Sequence, residues 1–294
     1  MKIAVIGATG YVGHNLINEL LSKTDAIVVA FAPNITKLKI EHERLSKIDG
    51  DVFDTAYLKE SLHGCAVAYY LIHMMAQNKL DFAVAETKAA QSFIDAASDA
   101  GVDRVIYVGG LGNDADKLSK HLASRHKTGE ILRSGTVRYV IEFRASMIIG
   151  QGSISYDIIA NLVHKLPILT LPAWSKTLTQ PIALQDALAY LIAAIDVHLT
   201  QHEIIEIGGP EAISYKKLMQ RYAAWRKTKA LFIDMPIIPV GIAAWWLNLF
   251  TPGKHAKVGR AMVESLGNPM VVTNNRAQEL FPDIQTRDIE EAFV

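Results

Sequence analysis

The chain opens on an unbroken apolar run, Ile3 to Ile6, which ends at the spaced glycines Gly7, Gly10 and Gly13. A strand without polar alternation suits burial on both faces, as inside a parallel sheet. Beyond the glycines, Leu16 and Leu20, and Ile17 and Leu21, recur four residues apart and predict an amphipathic helix starting near Tyr11. Further apolar runs at 26–31, 45–51, 66–72, 104–108 and 138–144 read as strands two to six. Helical patterns lie between them, among them an alanine-rich stretch at 82–100, which Gly101 is placed to stop, and another at 117–133. Strands alternating with helices of this length predict a parallel sheet covered on both faces.

The texture changes after Gly150. Pro167, Pro172 and Pro181 divide the next stretch into short pieces, with helices expected at 184–195, 215–226 and 255–266. Short strands are expected at 204–207 and 231–233. A boundary near residue 150 therefore divides a first domain, 1–150, from a smaller α+β region, 151–294, that interleaves with it. Residues 237–250 (IIPVGIAAWWLNLF) carry Asn248 as their one polar side chain. A bilayer-spanning helix needs about 20 apolar residues. This stretch is too short and is expected as a buried helix over the cleft or at a subunit contact.

Composition narrows the functional classes. Half the residues are hydrophobic and 20% charged, as in ordinary globular proteins. Lysine plus arginine number 30 against 30 acidic residues, which gives no overall pull towards nucleic acid. Cys65 stands alone, so no internal disulfide forms. With a strand at the very start and no leader pattern, a cytoplasmic location is expected. His198 and His202 sit four apart without a third ligand nearby, and no G-x-S-x-G elbow occurs, so neither metal catalysis nor a serine triad is read here.

The glycine turn carries the clearest chemistry. Glycines allow a tight turn and a close approach of the backbone to a pyrophosphate, whose charge the helix N-terminus attracts. Gly7, Thr9, Gly10, Tyr11, Val12 and Gly13 are the candidate residues. NAD-binding chains place an acid at the end of the second strand and NADP-binding chains an arginine. Here the strand runs out in Ala32, Pro33 and Asn34, with neither. Lys37 and Lys39 lie nearby, and with no carboxylate to repel a phosphate the choice tilts slightly towards NADP over NAD. Ala32 and Asn34 are the candidate ribose neighbours.

As a set, GATGYVG at 7–13, GDVFD at 50–54, AGVDRVIYV at 100–108, FRA at 143–145, IIGQGS at 148–153, PIAL at 181–184 with Asp186, and IEIGGPE at 205–211 resemble the atypical short-chain dehydrogenase/reductases, in their NmrA-like, NAD(P)-binding branch. LPILTLPAW at 166–174 also resembles one bacterial subgroup of that branch. The resemblance implies a Rossmann-type, doubly wound α/β sheet with a smaller C-terminal substrate region. It implies that Asp51, with Val52 beside it, meets the adenine amine, and that Leu71, Ile72 and His73 border the ribose and nicotinamide. The Tyr-x-x-x-Lys pair and serine of such reductases are missing at the corresponding places. Gly109 and Gly110 stand where serines are expected, and the next helix offers His121 and Arg125 instead. Four apart, these two share one helical face and reach the cleft together. The neighbouring arginine makes the imidazole a poorer acid. Tyr156 is a third catalytic candidate or, with Ile159 and Val163, a core residue. The expected function is reduction of a small apolar acceptor, quinone-like, dye-like or enone, by NAD(P)H. The alternatives are a non-catalytic NAD(P) sensor with a protein partner and, below it, a nucleotide-sugar epimerase or dehydratase. A homo-oligomer fits any of the three.

Overall fold

Seven apolar segments pair side by side into one all-parallel sheet. In chain order they are β1 (Lys2–Ile6), β2 (Ile27–Ala32), β3 (Leu45–Asp49), β4 (Val67–Tyr70), β5 (Arg104–Gly110), β6 (Tyr139–Ala145) and, after four short strands, β11 (Glu203–Ile207). The computed structural model describes residues 1–74, 82–113, 117–235 and 265–293. The order across the sheet is β11-β6-β5-β4-β1-β2-β3. It reverses between β1 and β4, and this switch point opens a crevice at the carboxyl edge. Ile3, Ala4, Val5 and Ile6 have no exposed surface, so the unbroken run reflects burial on both faces. Each such isoleucine or valine contributes about 1.5–3 kcal/mol by leaving water.

Helices cover both faces. α1 (Tyr11–Lys23) packs on one, and α2 (Thr55–Leu62), α3 (Phe82–Asp99) and α4 (Lys120–Arg133) cover the other. β3 and β4 end two residues before the apolar pattern does. Leu71 N–H still bonds the Ile6 carbonyl at 2.8 Å, after which the chain leaves the sheet.

Between β6 and β11 the chain makes a second layer. It comprises β7 (Ile148–Ile149), α5 (Ile154–Lys165), β8 (Ile168–Leu171), β9 (Leu178–Thr179), β10 (Ile182–Ala183) and α6 (Leu184–Ala193). The proline pattern does not predict α5. Ser153 caps it by accepting the Tyr156 amide at 3.1 Å, and Pro167 lies just beyond its end. After β11 come β12 (Ile213–Ser214), α7 (Tyr215–Trp225), β13 (Leu231–Asp234) and α8 (Arg276–Leu280). β7 pairs with β10, β9 with β12, and β8 with β13. α6 packs beside α1 under the main sheet, and β11 extends that sheet. Residues beyond 150 thus supply an outer strand and a covering helix to the nucleotide-binding half. The helix expected at 255–266 lies, but for its last two residues, outside the described residues, as does the apolar stretch 237–250. No helix among the described residues is long and apolar enough to cross a membrane.

Candidate active site

The turn after β1 is built so tightly that its glycines have no substitutes. Gly7 takes a φ of +95°, and a β-carbon there would stand 2.9 Å from the Leu71 carbonyl group. A β-carbon on Gly13 would meet the Gly7 oxygen at 2.5 Å, so α1 could not sit against the turn. Gly10 caps α1 with no side chain over the first amides of the helix. A free helix N-terminus beside a bare backbone turn fits a pyrophosphate. Tyr11 adds a second sign of an occupant. Among the described residues its buried hydroxyl has no hydrogen-bond partner, and burial, with the Asp157 charge, pushes the phenol up to about 12.

The adenine end is more open. Asp51 is exposed and accepts the Phe53 amide at 3.1 Å, as a turn residue does. Val52 is buried, and its carbonyl accepts the Ser92 hydroxyl. Asn34 sits in the left-handed region at φ 57° just past Ala32. The next amide, Ile35 N–H, donates to Asp49 Oδ2 at 3.1 Å. A carboxylate from the end of β3 therefore stands beside the end of β2, which has none of its own.

From the turn a cavity of about 390 Å³ runs along the carboxyl ends of β4, β5 and β6. Tyr11, Val12 and Leu71 wall its cofactor end, and Met147, Ile148, Ile154, Leu266 and Met270 its far side. His73, His121, Arg125 and Ser265 form its polar edge. Tyr156 is not among the lining residues. Its hydroxyl donates to the Phe293 carbonyl at 3.3 Å, and its ring meets Tyr222 edge-on at 5.7 Å. Of its two sequence readings the structure supports packing.

The polar edge is held by a network that the sequence does not announce. His73 and His121 stack with ring centres 5.0 Å apart and Nε2 atoms 2.9 Å apart. His73 Nδ1 lies 3.3 Å from Glu86 Oε1, a carboxylate buried on α3. That carboxylate also accepts the Met74 amide at 3.2 Å and the Ser124 hydroxyl, and stands 4.0 Å from Arg125. His121 Nδ1 faces Ser265 Oγ at 3.3 Å, and Ser265 meets Ser119, the cap of α4, at 2.8 Å. Arg125 is buried and committed to structure. It donates to the carbonyls of Ile72 and Val108 and lies 4.8 Å over the Tyr107 ring, tying the ends of β4 and β5 together.

These surroundings disfavour imidazolium. Burial and the Arg125 charge lower His121 to about 4. Burial, the Arg125 charge and His121 lower His73 well below the ordinary histidine value. Glu86 pulls His73 the other way but is shared among four groups, so it does not cancel them. The direction expected for His121 from its neighbouring arginine is the one found, with burial the larger cause.

Residues 7–143 match the model of the NAD(P)H-binding family, so this stretch is an NAD(P)H-binding domain. The chain is 30% identical over 117 residues to cinnamoyl-CoA reductase 1 of Oryza sativa subsp. japonica. That match covers 37% of this chain and only 34% of the relative, so the chain spans about a third of the relative's length. Its fold is that of Citrobacter sp. triphenylmethane reductase complexed with NADP(H), with a TM-score of 0.77 at 14% identity over 100% of this chain and 99% of that one. It is equally that of a nucleoside-diphosphate-sugar epimerase from Staphylococcus aureus, with a TM-score of 0.76 at 15% identity over 100% and 99%. The NADPH-dependent quinone oxidoreductase of Escherichia coli aligns with a TM-score of 0.75 at 17% identity over 99% and 98%. The expected kinship with NAD(P)-binding Rossmann proteins of the atypical short-chain group is borne out, as is the doubly wound α/β fold.

Proposed function

We propose that the protein is an NAD(P)H-dependent reductase of small, flat, apolar acceptors, quinone-like, dye-like or enone in type. One observation carries the reading: the cavity begins at the glycine turn and continues into an apolar chamber with a single polar edge. The amides of the turn and of Tyr11, Val12 and Gly13 would hold the pyrophosphate, Asp51 the adenine amine, and Leu71 to His73 the ribose. The bound dinucleotide supplies the hydride. Met147, Ile148, Ile154 and Met270 exclude water and lay the acceptor flat, while the histidine edge handles the accompanying proton. The relatives named for quinone and dye reduction support acceptors of this kind. NADP is the preferred cofactor on this reading, since β2 ends without a carboxylate of its own. A lone cysteine, Cys65, agrees with a cytoplasmic setting.

The second reading is a dinucleotide sensor that changes protein partner on binding. It draws support from the missing Tyr-x-x-x-Lys pair and from histidines that are neutral at ordinary pH. An epimerase or dehydratase ranks lowest, because those reactions lean hardest on the missing pair. Titration of the purified protein with NADPH and NADH, followed by a panel of quinones, enones and cationic dyes, separates the readings. Cofactor oxidation proportional to protein concentration supports the reductase. Saturable cofactor binding without turnover on any acceptor supports the sensor.

A further inference from the structure

We propose that Glu86, His73, His121 and Ser265 form a proton relay that loads as a His73 imidazolium beside Glu86 and discharges to the acceptor through the Ser265 hydroxyl. This rests on the reductase reading of the same cleft. The geometry is a continuous file of polar atoms. Glu86 Oε1 to His73 Nδ1 is 3.3 Å, His73 Nε2 to His121 Nε2 is 2.9 Å, and His121 Nδ1 to Ser265 Oγ is 3.3 Å. Both nitrogens of His121 are therefore engaged, so this imidazole has none left to offer an acceptor directly. Ser265 borders the cavity and is the end of the file that meets a ligand. Ser119 holds it in place from the start of α4.

Elementary hydrogen-bond accounting gives the file one resting direction. A carboxylate only accepts, so His73 carries its proton on Nδ1 and leaves Nε2 bare. His121 then donates from Nε2, its Nδ1 is bare, and the Ser265 hydroxyl donates into it. Loading runs inward. While water fills the open cleft, a hydronium gives its proton to Ser265 Oγ. The serine proton passes to His121 Nδ1, and the His121 Nε2 proton passes to His73 Nε2. The added charge ends on His73, the imidazole that a carboxylate faces. Discharge retraces the path. Once hydride from the reduced dinucleotide has turned a quinone or enone into its oxyanion, that oxygen takes the Ser265 proton, His121 replaces it, and His73 replaces that of His121. One proton enters from water, one leaves on the acceptor, and the file returns to rest. Glu86 touches neither acceptor nor dinucleotide in this scheme and is a positioning residue.

The groups facing His73 are Glu86 from α3 and His121 and Arg125 from α4. With the two cationic or basic neighbours prevailing, the loaded form is scarce at neutral pH and its share grows with proton concentration. Reduction of a neutral quinone or enone should then speed up by about tenfold for each pH unit lost near neutrality. A cationic triarylmethane dye becomes neutral on receiving hydride and needs no proton, so its rate should not follow that slope. Single-turnover rates with saturating NADPH, on both acceptors and across pH, test this. Ser265→Ala should lower the quinone-to-dye rate ratio at least tenfold, with cofactor titration and thermal unfolding verifying that the variant is folded. Independently of turnover, nitrogen NMR of the wild-type histidines should find His73 in the Nδ1–H form and His121 in the Nε2–H form. Equal pH slopes for both acceptors, an unchanged ratio in Ser265→Ala, or the opposite His121 tautomer would overturn the relay. Should neither acceptor turn over, the reductase reading falls, and the tautomers alone decide whether the file is wired as described.

Discussion

Glu142 occupies the space that a side chain at Gly129 would need. A β-carbon on Gly129 would press into the Glu142 carboxylate, which is fully buried on β6 and paired with Arg133 and Arg144. This glycine in the middle of α4 makes room for a buried ion triad that locks the helix to the sheet. Gly129→Ala should cost about 1–3 kcal/mol, the usual penalty of overpacking, despite the better helix propensity of alanine. Urea unfolding measures it, and a variant as stable as the wild type would show that the triad shifts freely.

Gly10→Asp separates binding from folding. Aspartate is a favoured helix cap, so α1 should survive. The same carboxylate would set a negative charge where the pyrophosphate must lie. Calorimetric titration should find NADPH and NADH binding lost, with the unfolding temperature maintained. Wild-type affinity in the variant would remove the glycine turn from the cofactor site.

His121 links acidity to stability. It titrates near 6.5 when unfolded and at about 4 when folded. Between those values the unfolded chain binds more protons, so stability rises with pH across that window and is lost as pH falls through it. His73, shifted in the same direction, adds to the slope. The His121 contribution is at most ~3 kcal/mol, less whatever solvent screening removes. Denaturant unfolding across the window should give a flatter profile for His121→Gln than for the wild type. Parallel profiles would mean that the imidazole stays open to water.

Tyr156→Phe should act on packing alone. Its hydroxyl serves the Phe293 carbonyl, so losing it should cost about 1 kcal/mol of stability. Cofactor affinity and turnover should hold. A large fall in turnover with unchanged stability would return Tyr156 to the candidate catalytic set.

The sheet was readable because its strands are buried on both faces and therefore uninterrupted. The glycine turn was readable because its steric demands are local to seven residues. His121 and Arg125 could be placed together by helical spacing. Glu86 could not, since it meets His73 only through the packing of α3 on α4 and looks like any acid in an alanine-rich helix. Ser265 lies 144 residues from the imidazole it faces, and no spacing rule reaches that far. Tyr156 misled because a helix face that repeats Tyr156, Ile159 and Val163 turns towards core as readily as towards a cleft. Asp49 was passed over because strand pairing, not sequence proximity, brings it beside the end of β2.

The route from β6 through the cleft wall and back to β11 has an architectural consequence. The acceptor wall is a detour anchored at both ends in the sheet that carries the dinucleotide site. Residues along the detour can vary, reshaping the chamber for a new acceptor, while the two anchoring strands keep the cofactor half in register. Severing the chain at 150 would have the opposite result. It would strip β6 of its neighbour and leave a raw strand edge, the kind of surface through which truncated sheets stick to one another.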